Sequence, residues 1–191
     1  MIPLNAAPSS DGDTNGVIRL SKEIPDLESG ELSSNNNDYR FAFNDSTSWQ
    51  LCTGNYTNAY FTFKFQKRYL LMTNYTITVN QEWNVYANYP KSWTIDGMFK
   101  GRWIKLGFVE DSKLKSDKKH TFPVSCIIPI SAVRFTLVGT STTGHYHLCF
   151  HKLDFFGSFI DRKQFDLMCN TKHSHTPINH MLIISFTILV S

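Results

Sequence analysis

The stretch Tyr60-Phe61-Thr62-Phe63-Lys64-Phe65 constrains this chain more than any other. Its three phenylalanines recur at every second residue, which is the repeat of a pleated strand and not of a helix. The spacing predicts a strand with Phe61, Phe63 and Phe65 turned to a core and Thr62 and Lys64 turned to water. The pattern returns at Ala132–Gly139, where Val133, Phe135 and Leu137 fall on one face and Arg134 and Thr136 on the other. In Tyr69–Val79, the residues Tyr75, Ile77 and Val79 share a face. Trp93–Ile95, Trp103–Leu106, Thr121–Ile128 and His147–Phe156 read as further strands, with Gly97 and Gly101 marking the turn before Trp103. Short strands separated by Gly, Pro, Asn and Ser loops predict an all-β fold, an antiparallel sandwich or barrel. No sustained helical period and no internal repeat interrupts the stretch from Tyr39 to Gly157.

Outside that body the pattern changes. Residues 1–15 are rich in Ser, Asp, Asn, Gly and Pro and read as a disordered tail. Val17–Leu32 reads as a short helix or an extended arm, because Pro25 breaks anything longer. The domain is expected over 16–159, followed by a C-terminal tail over 160–191. That tail ends in the apolar run Met181–Val190, well short of the ~20 residues a bilayer-spanning helix needs. Three readings of it stand: the start of a membrane anchor, a tail of glycolipid-anchor type, or a segment docked on the domain.

Charge and cysteine usage narrow the function. The net charge is +3 with both signs interspersed, unlike the concentrated basic face of a nucleic-acid binder. Lys113, Lys115, Lys118 and Lys119 are interrupted by Asp111 and Asp117 and read as a solvated loop. No two of Cys52, Cys126, Cys149 and Cys169 form a C-x-x-C pair, which removes zinc-ribbon and thioredoxin-like motifs. The N-terminus lacks the basic and apolar regions of a signal peptide. The expectation is a cytoplasmic, reducing compartment with free thiols. Asn44, Asn55 and Asn74 head N-x-S/T sequons, which matter only in the secretory pathway.

Several partial motifs then meet in one order. Tyr89-Pro90-Lys91-Ser92-Trp93-Thr94-Ile95-Asp96-Gly97, followed by Arg102-Trp103-Ile104-Lys105-Leu106, resembles the discoidin domain, also called the coagulation factor 5/8 type C domain. The form it is most similar to is the intracellular one found beside BTB domains and in protist proteins. Gly16-Val17-Ile18, Asn58–Phe65, Tyr75-Thr76-Ile77, Val133-Arg134-Phe135 and Leu148–Gly157 resemble further strands of the family in the same order. The resemblance covers about residues 16–159. It departs at Asp96–Gly101, which replaces the family's usual hairpin, and in lacking the terminal cysteine pair of extracellular members. The resemblance implies an eight-stranded jelly-roll sandwich of galactose-binding-like type, with ligands held by loops at one end.

Two loops suit such a ligand. Residues 44–58 carry Asn44, Trp49, Gln50 and Tyr56, and residues 80–88 carry Trp83, Asn84 and Tyr86. An aromatic ring covers the apolar C–H patches of a sugar while amides bond its hydroxyls. The ligand-binding candidates are Asn44, Trp49, Gln50, Trp83, Asn84 and Tyr86; the competing reading makes their rings anchors of polar connections. Trp93 and Trp103 are expected in the core. His145, His147, His151 and Cys149 share a parity that would suit a metal, but they read as the outer face of the closing strand, so no metal and no cofactor is expected. No nucleophile elbow, H-E-x-x-H helix or phosphate loop is present. The chain is therefore expected to be a non-enzymatic module for a carbohydrate or similar polar ligand. The alternatives are an intracellular protein–protein interaction domain and a detached accessory module of a hydrolase.

Overall fold

The computed structural model describes residues 4–29, 39–43, 51–79, 89–112, 114, 119–126 and 128–171. Two antiparallel sheets face each other. One holds β4 (Tyr60–Lys64), β9 (Ala132–Leu137), β6 (Trp93–Phe99) and β7 (Arg102–Val109), with β2 (Asp26–Ser29) outside β4. The other runs β1 (Leu4–Ala6), β11 (Lys152–Asp161), β5 (Arg68–Thr78), β8 (Lys119–Pro123). A short ribbon of β3 (Leu51–Cys52) and β10 (Cys149–Phe150) lies beside them. The fold is the expected antiparallel β-sandwich.

The alternating phenylalanines form the core as the period requires. Phe61, Phe63, Val133, Phe135 and Leu137 are fully buried on the inner face of the first sheet. Across the gap, Phe155 packs edge-on to Phe63 at 6.0 Å, and Tyr75 packs edge-on to Phe135 at 5.2 Å. Each such side chain contributes about 1.5–3 kcal/mol by leaving water, so a dozen fully buried large residues are ample to hold the two sheets together. Thr62 departs from its expected exposure and is fully buried. The Arg134 guanidinium lies across this outer face and donates from Nε to Thr62 Oγ1 at 3.1 Å.

Trp93 is buried as expected, but Trp103 is not a core residue. The two-residue turn Lys100-Gly101, both at positive φ (47° and 78°), pairs Met98 with Trp103. Paired residues share a face, and Met98 is out of step with Trp93, Ile95 and Gly97. Trp103 therefore stands half-buried on the outer face, where the Arg134 guanidinium covers its ring at 3.9 Å and also lies 5.0 Å from the Tyr60 ring.

The N-terminal segment is part of the fold and not a disordered tail. Leu4–Ala6 pair with Gly157–Phe159. Asp11 accepts the Thr121 N–H at 2.7 Å and meets His120 Nδ1 at 2.8 Å. The segment after it resolves both readings at once: α1 (Val17–Ser21) is a short helix, and β2 is the extended arm. Buried Asp154 on β11 fixes α1 in place, accepting the N–H groups of Gly16 (3.0 Å), Ile18 (3.3 Å) and Phe155 (2.8 Å). Strand β11 continues to Asp161 and leads directly into α2 (Arg162–Thr171).

Candidate functional site

Strand register brings four connections to one end of the sandwich. Tyr60 pairs with Thr136, Trp93 with both Leu137 and Val109, and Thr78 with both Lys152 and Lys119. The described residues at this end are therefore 53–59, 89–92, 110–112 and 138–148. The expected ligand residues Asn44, Trp49, Gln50, Trp83, Asn84 and Tyr86 lie outside the described residues, but the chain re-enters the sandwich beside this end at Leu51 and Tyr89.

These segments are tied to one another. Thr53 donates its N–H to the Leu148 carbonyl and accepts the Leu148 N–H on Oγ1, each at 3.0 Å. Asn55 Oδ1 accepts the Tyr146 N–H at 2.9 Å. Thr142 donates its N–H to the Tyr89 carbonyl at 2.9 Å, and the Tyr89 N–H returns a bond to Thr142 Oγ1 at 3.1 Å. Ser112 donates to the Lys91 and Pro90 carbonyls. Beneath the first two segments, a disulfide joins Cys52 to Cys149. The free-thiol expectation therefore fails for this pair, because β3 and β10 set the two cysteines opposite each other in register, 97 residues apart in sequence. Cys126 is free and buried, and burial raises its pKa.

The histidines are also rearranged. The expected continuous strand over His147–Phe156 is broken: 144–148 form a loop, β10 holds two residues, and β11 starts at Lys152. His151 is buried, and the Cys149 sulfur is committed to the disulfide, so the four residues do not form a common outer face. His145 and His147 do stay together, with ring centroids 5.9 Å apart. His147 Nδ1 lies 2.9 Å from the Thr53 carbonyl oxygen. A carbonyl only accepts, so Nδ1 carries the hydrogen and the neutral ring presents Nε2 as an acceptor. Tyr146, between them, is 37% exposed.

The site is thus a rim of amide, hydroxyl, imidazole and phenol groups: Asn55, Thr57, Thr143, His145, Tyr146 and His147. Residues 53–59 and 138–148 contain no Asp, Glu, Lys or Arg, while the other two segments at this end carry exposed Lys91, Glu110 and Asp111. The two charge-free segments can exchange hydrogen bonds in both directions and offer a ring face. The sequence signal for this rim is the run Thr140–His147, in which every residue but Gly144 has a polar or aromatic side chain; the sequence reading assigns ligand contacts to 44–58 and 80–88 and not to this connection. The opposite end has a different character: a cavity of about 280 Å³ bordered by Phe65, Phe159 and the Arg68–Glu23 ion pair (3.2 Å).

Several solved structures are similar to this one in fold. They include CBM32-3 from a family 31 glycoside hydrolase of Clostridium perfringens (TM-score 0.57, 11% identity, 72% of this chain and 92% of that one). They also include the F5/8 type C domain of a Bacteroides fragilis protein (TM-score 0.55, 10% identity, 70% and 91%). A third is the family 32 CBM from C. perfringens NanJ in complex with galactose (TM-score 0.52, 12% identity, 71% and 93%). No protein-family model and no curated protein sequence matches the chain. The fold is therefore the β-sandwich that discoidin-like F5/8 type C domains have, as the sequence resemblance implied.

Proposed function

We propose that this chain is a non-catalytic glycan-binding module whose loop end holds an uncharged sugar. The observation that carries this reading is the charge-free, hydrogen-bonded rim made by residues 53–59 and 138–148. Tyr146 supplies the ring that covers the C–H face of a sugar, and His147 Nε2 and the side chains of Asn55 and Thr143 meet its hydroxyls. Asn44, Trp49, Gln50, Trp83, Asn84 and Tyr86, which lie outside the described residues, are retained as candidate contacts on their sequence chemistry alone. The likeness to a module solved with galactose supports a saccharide ligand.

The test is a glycan array probed with the full chain, followed by calorimetry on each hit with Tyr146→Ala, Trp49→Ala and Trp83→Ala. The reading requires at least one neutral saccharide bound by wild type, weakened at least about tenfold by Tyr146→Ala, which is ~1.4 kcal/mol, with the melting temperature unchanged. A folded protein that binds no glycan overturns it and leaves the protein–protein reading. If Trp49→Ala and Trp83→Ala lose structure together with ligand, those two rings are anchors and not contacts.

A further inference from the structure

We infer that Asn55 is an acceptor for N-linked glycosylation, placing an oligosaccharide on the rim of the loop end. Asn55-Tyr56-Thr57 has the acceptor pattern of an asparagine followed two residues later by a hydroxyl residue. Asn55 and Thr57 are both exposed, in the connection between β3 and β4, where neither belongs to a strand. Asn55 Oδ1 accepts the Tyr146 N–H at 2.9 Å. The sugar is carried by Nδ2, on the other limb of the amide, so the bond that positions this loop survives modification.

The compartment follows from a neighbouring feature. Three residues before Asn55, Cys52 is bonded to Cys149. Disulfides persist in oxidising compartments, which in a eukaryotic cell are those where sequons are modified. The sequon at Asn74 offers a contrast. Asn74 lies half-buried in β5, paired with Phe156 on one side and Pro123 on the other, and its sequon residues Tyr75 and Thr76 are buried. The sequon at Asn44 lies outside the described residues. Of the two described sequons, only Asn55 has its asparagine and its hydroxyl residue both in solvent.

The reaction takes a polyprenyl-pyrophosphate-linked oligosaccharide as donor. The Asn55 Nδ2–C1 bond forms, the C1–O bond to the pyrophosphate breaks, and the lipid pyrophosphate leaves with the electron pair. One Nδ2 proton passes to a base of the transferase, and nothing is oxidised or reduced. This proposal does not rest on the loop end binding a sugar, but a glycan on Nδ2 removes Asn55 from the contacts proposed for such a ligand, leaving Thr143, Tyr146 and His147.

The experiment is synthesis of the full chain behind a cleavable leader in the presence of endoplasmic-reticulum vesicles, scoring only protease-protected chains. In an Asn44→Gln/Asn74→Gln background, one glycan step sensitive to peptide N-glycosidase is expected. Asn55→Gln and Thr57→Ala abolish it, and Thr57→Ser keeps it. Should that background fail to fold, mass spectrometry of the wild-type peptide containing Asn55 gives the same answer directly. Protected chains without a glycan at Asn55, or with Cys52 and Cys149 both open to alkylation, overturn the proposal.

Discussion

Trp93 donates its indole N–H to the hydroxyl of Tyr75 at 2.9 Å, a hydrogen bond that links the two sheets through the middle of an otherwise apolar core. Both residues are essentially buried, and burial pushes the phenol pKa upward although the Trp93 bond opposes this. Tyr75→Phe keeps the ring that stacks on Phe122 and meets Phe135, but leaves a buried N–H without its acceptor. The expected loss is about 1–3 kcal/mol, read as a lower urea midpoint with an unchanged m-value.

Asp154 makes stability depend on pH. Burial raises its carboxyl to about 7, outweighing the backbone N–H groups of Phe155, Gly16, Ile18 and Arg19, which favour the anion. The folded chain therefore holds this proton more tightly than the unfolded chain. This contribution to stability is full below about pH 4 and is lost as pH rises through about 7. The range amounts to about 4 kcal/mol at ~1.4 kcal/mol per unit. Denaturation curves from pH 4 to 8 should show the fall, and Asp154→Asn should flatten it. The same contact dictates Gly16, where a Cβ would sit 2.2 Å from the Phe155 carbonyl oxygen. Gly16→Ala is expected to destabilise by about 1–3 kcal/mol, measured at pH 5.

What could be read in advance follows the length of each element. Phe61, Phe63, Val133, Phe135 and Leu137 announce their strands because one face is wholly buried and the period repeats. β1, β3 and β10 have two or three residues each, too few to show any period, and they exist only through partners far along the chain. Cys52 and Cys149 meet through such a pairing, which spacing alone could not reveal. A Trp in a strand beside a tight turn reads as core, but the register across Lys100-Gly101 sets Trp103 opposite Met98 on the outer face. At the site, the charge-free composition of 138–148 is legible, but its separation from β11 is not, because Leu148 and Phe150 alternate with Cys149 and His151 as the start of a strand would.

The Cys52–Cys149 bond closes a long loop and lies directly under Thr53 and Leu148. Its removal by Cys52→Ser/Cys149→Ser is expected to cost about 2–5 kcal/mol. The further consequence is at the rim: affinity for any glycan hit should fall with the bond, and treating wild type with a reductant should reproduce the variant. Equal affinity in the open and closed forms would separate the ribbon from ligand binding.

Thr53 offers a finer test of the same architecture. Its fully buried hydroxyl accepts the Leu148 N–H and donates to the Gly54 carbonyl, 3.0 Å each. Thr53→Val preserves shape and removes both bonds, for an expected loss of about 1–3 kcal/mol. Amide exchange should quicken at Leu148 and Tyr146, while Phe61 and Phe135 stay protected.

The pairing of Leu4–Ala6 with Gly157–Phe159 has a meaning beyond added stability. Without it, the outer edge of β11 at this point would offer a row of unpaired N–H and C=O groups to any second chain. Leu4–Ala6 thus act as the fold's own guard against strand-to-strand association. A shortened chain starting after Ala6 should keep its core and yet become prone to self-association, at a place no ligand touches.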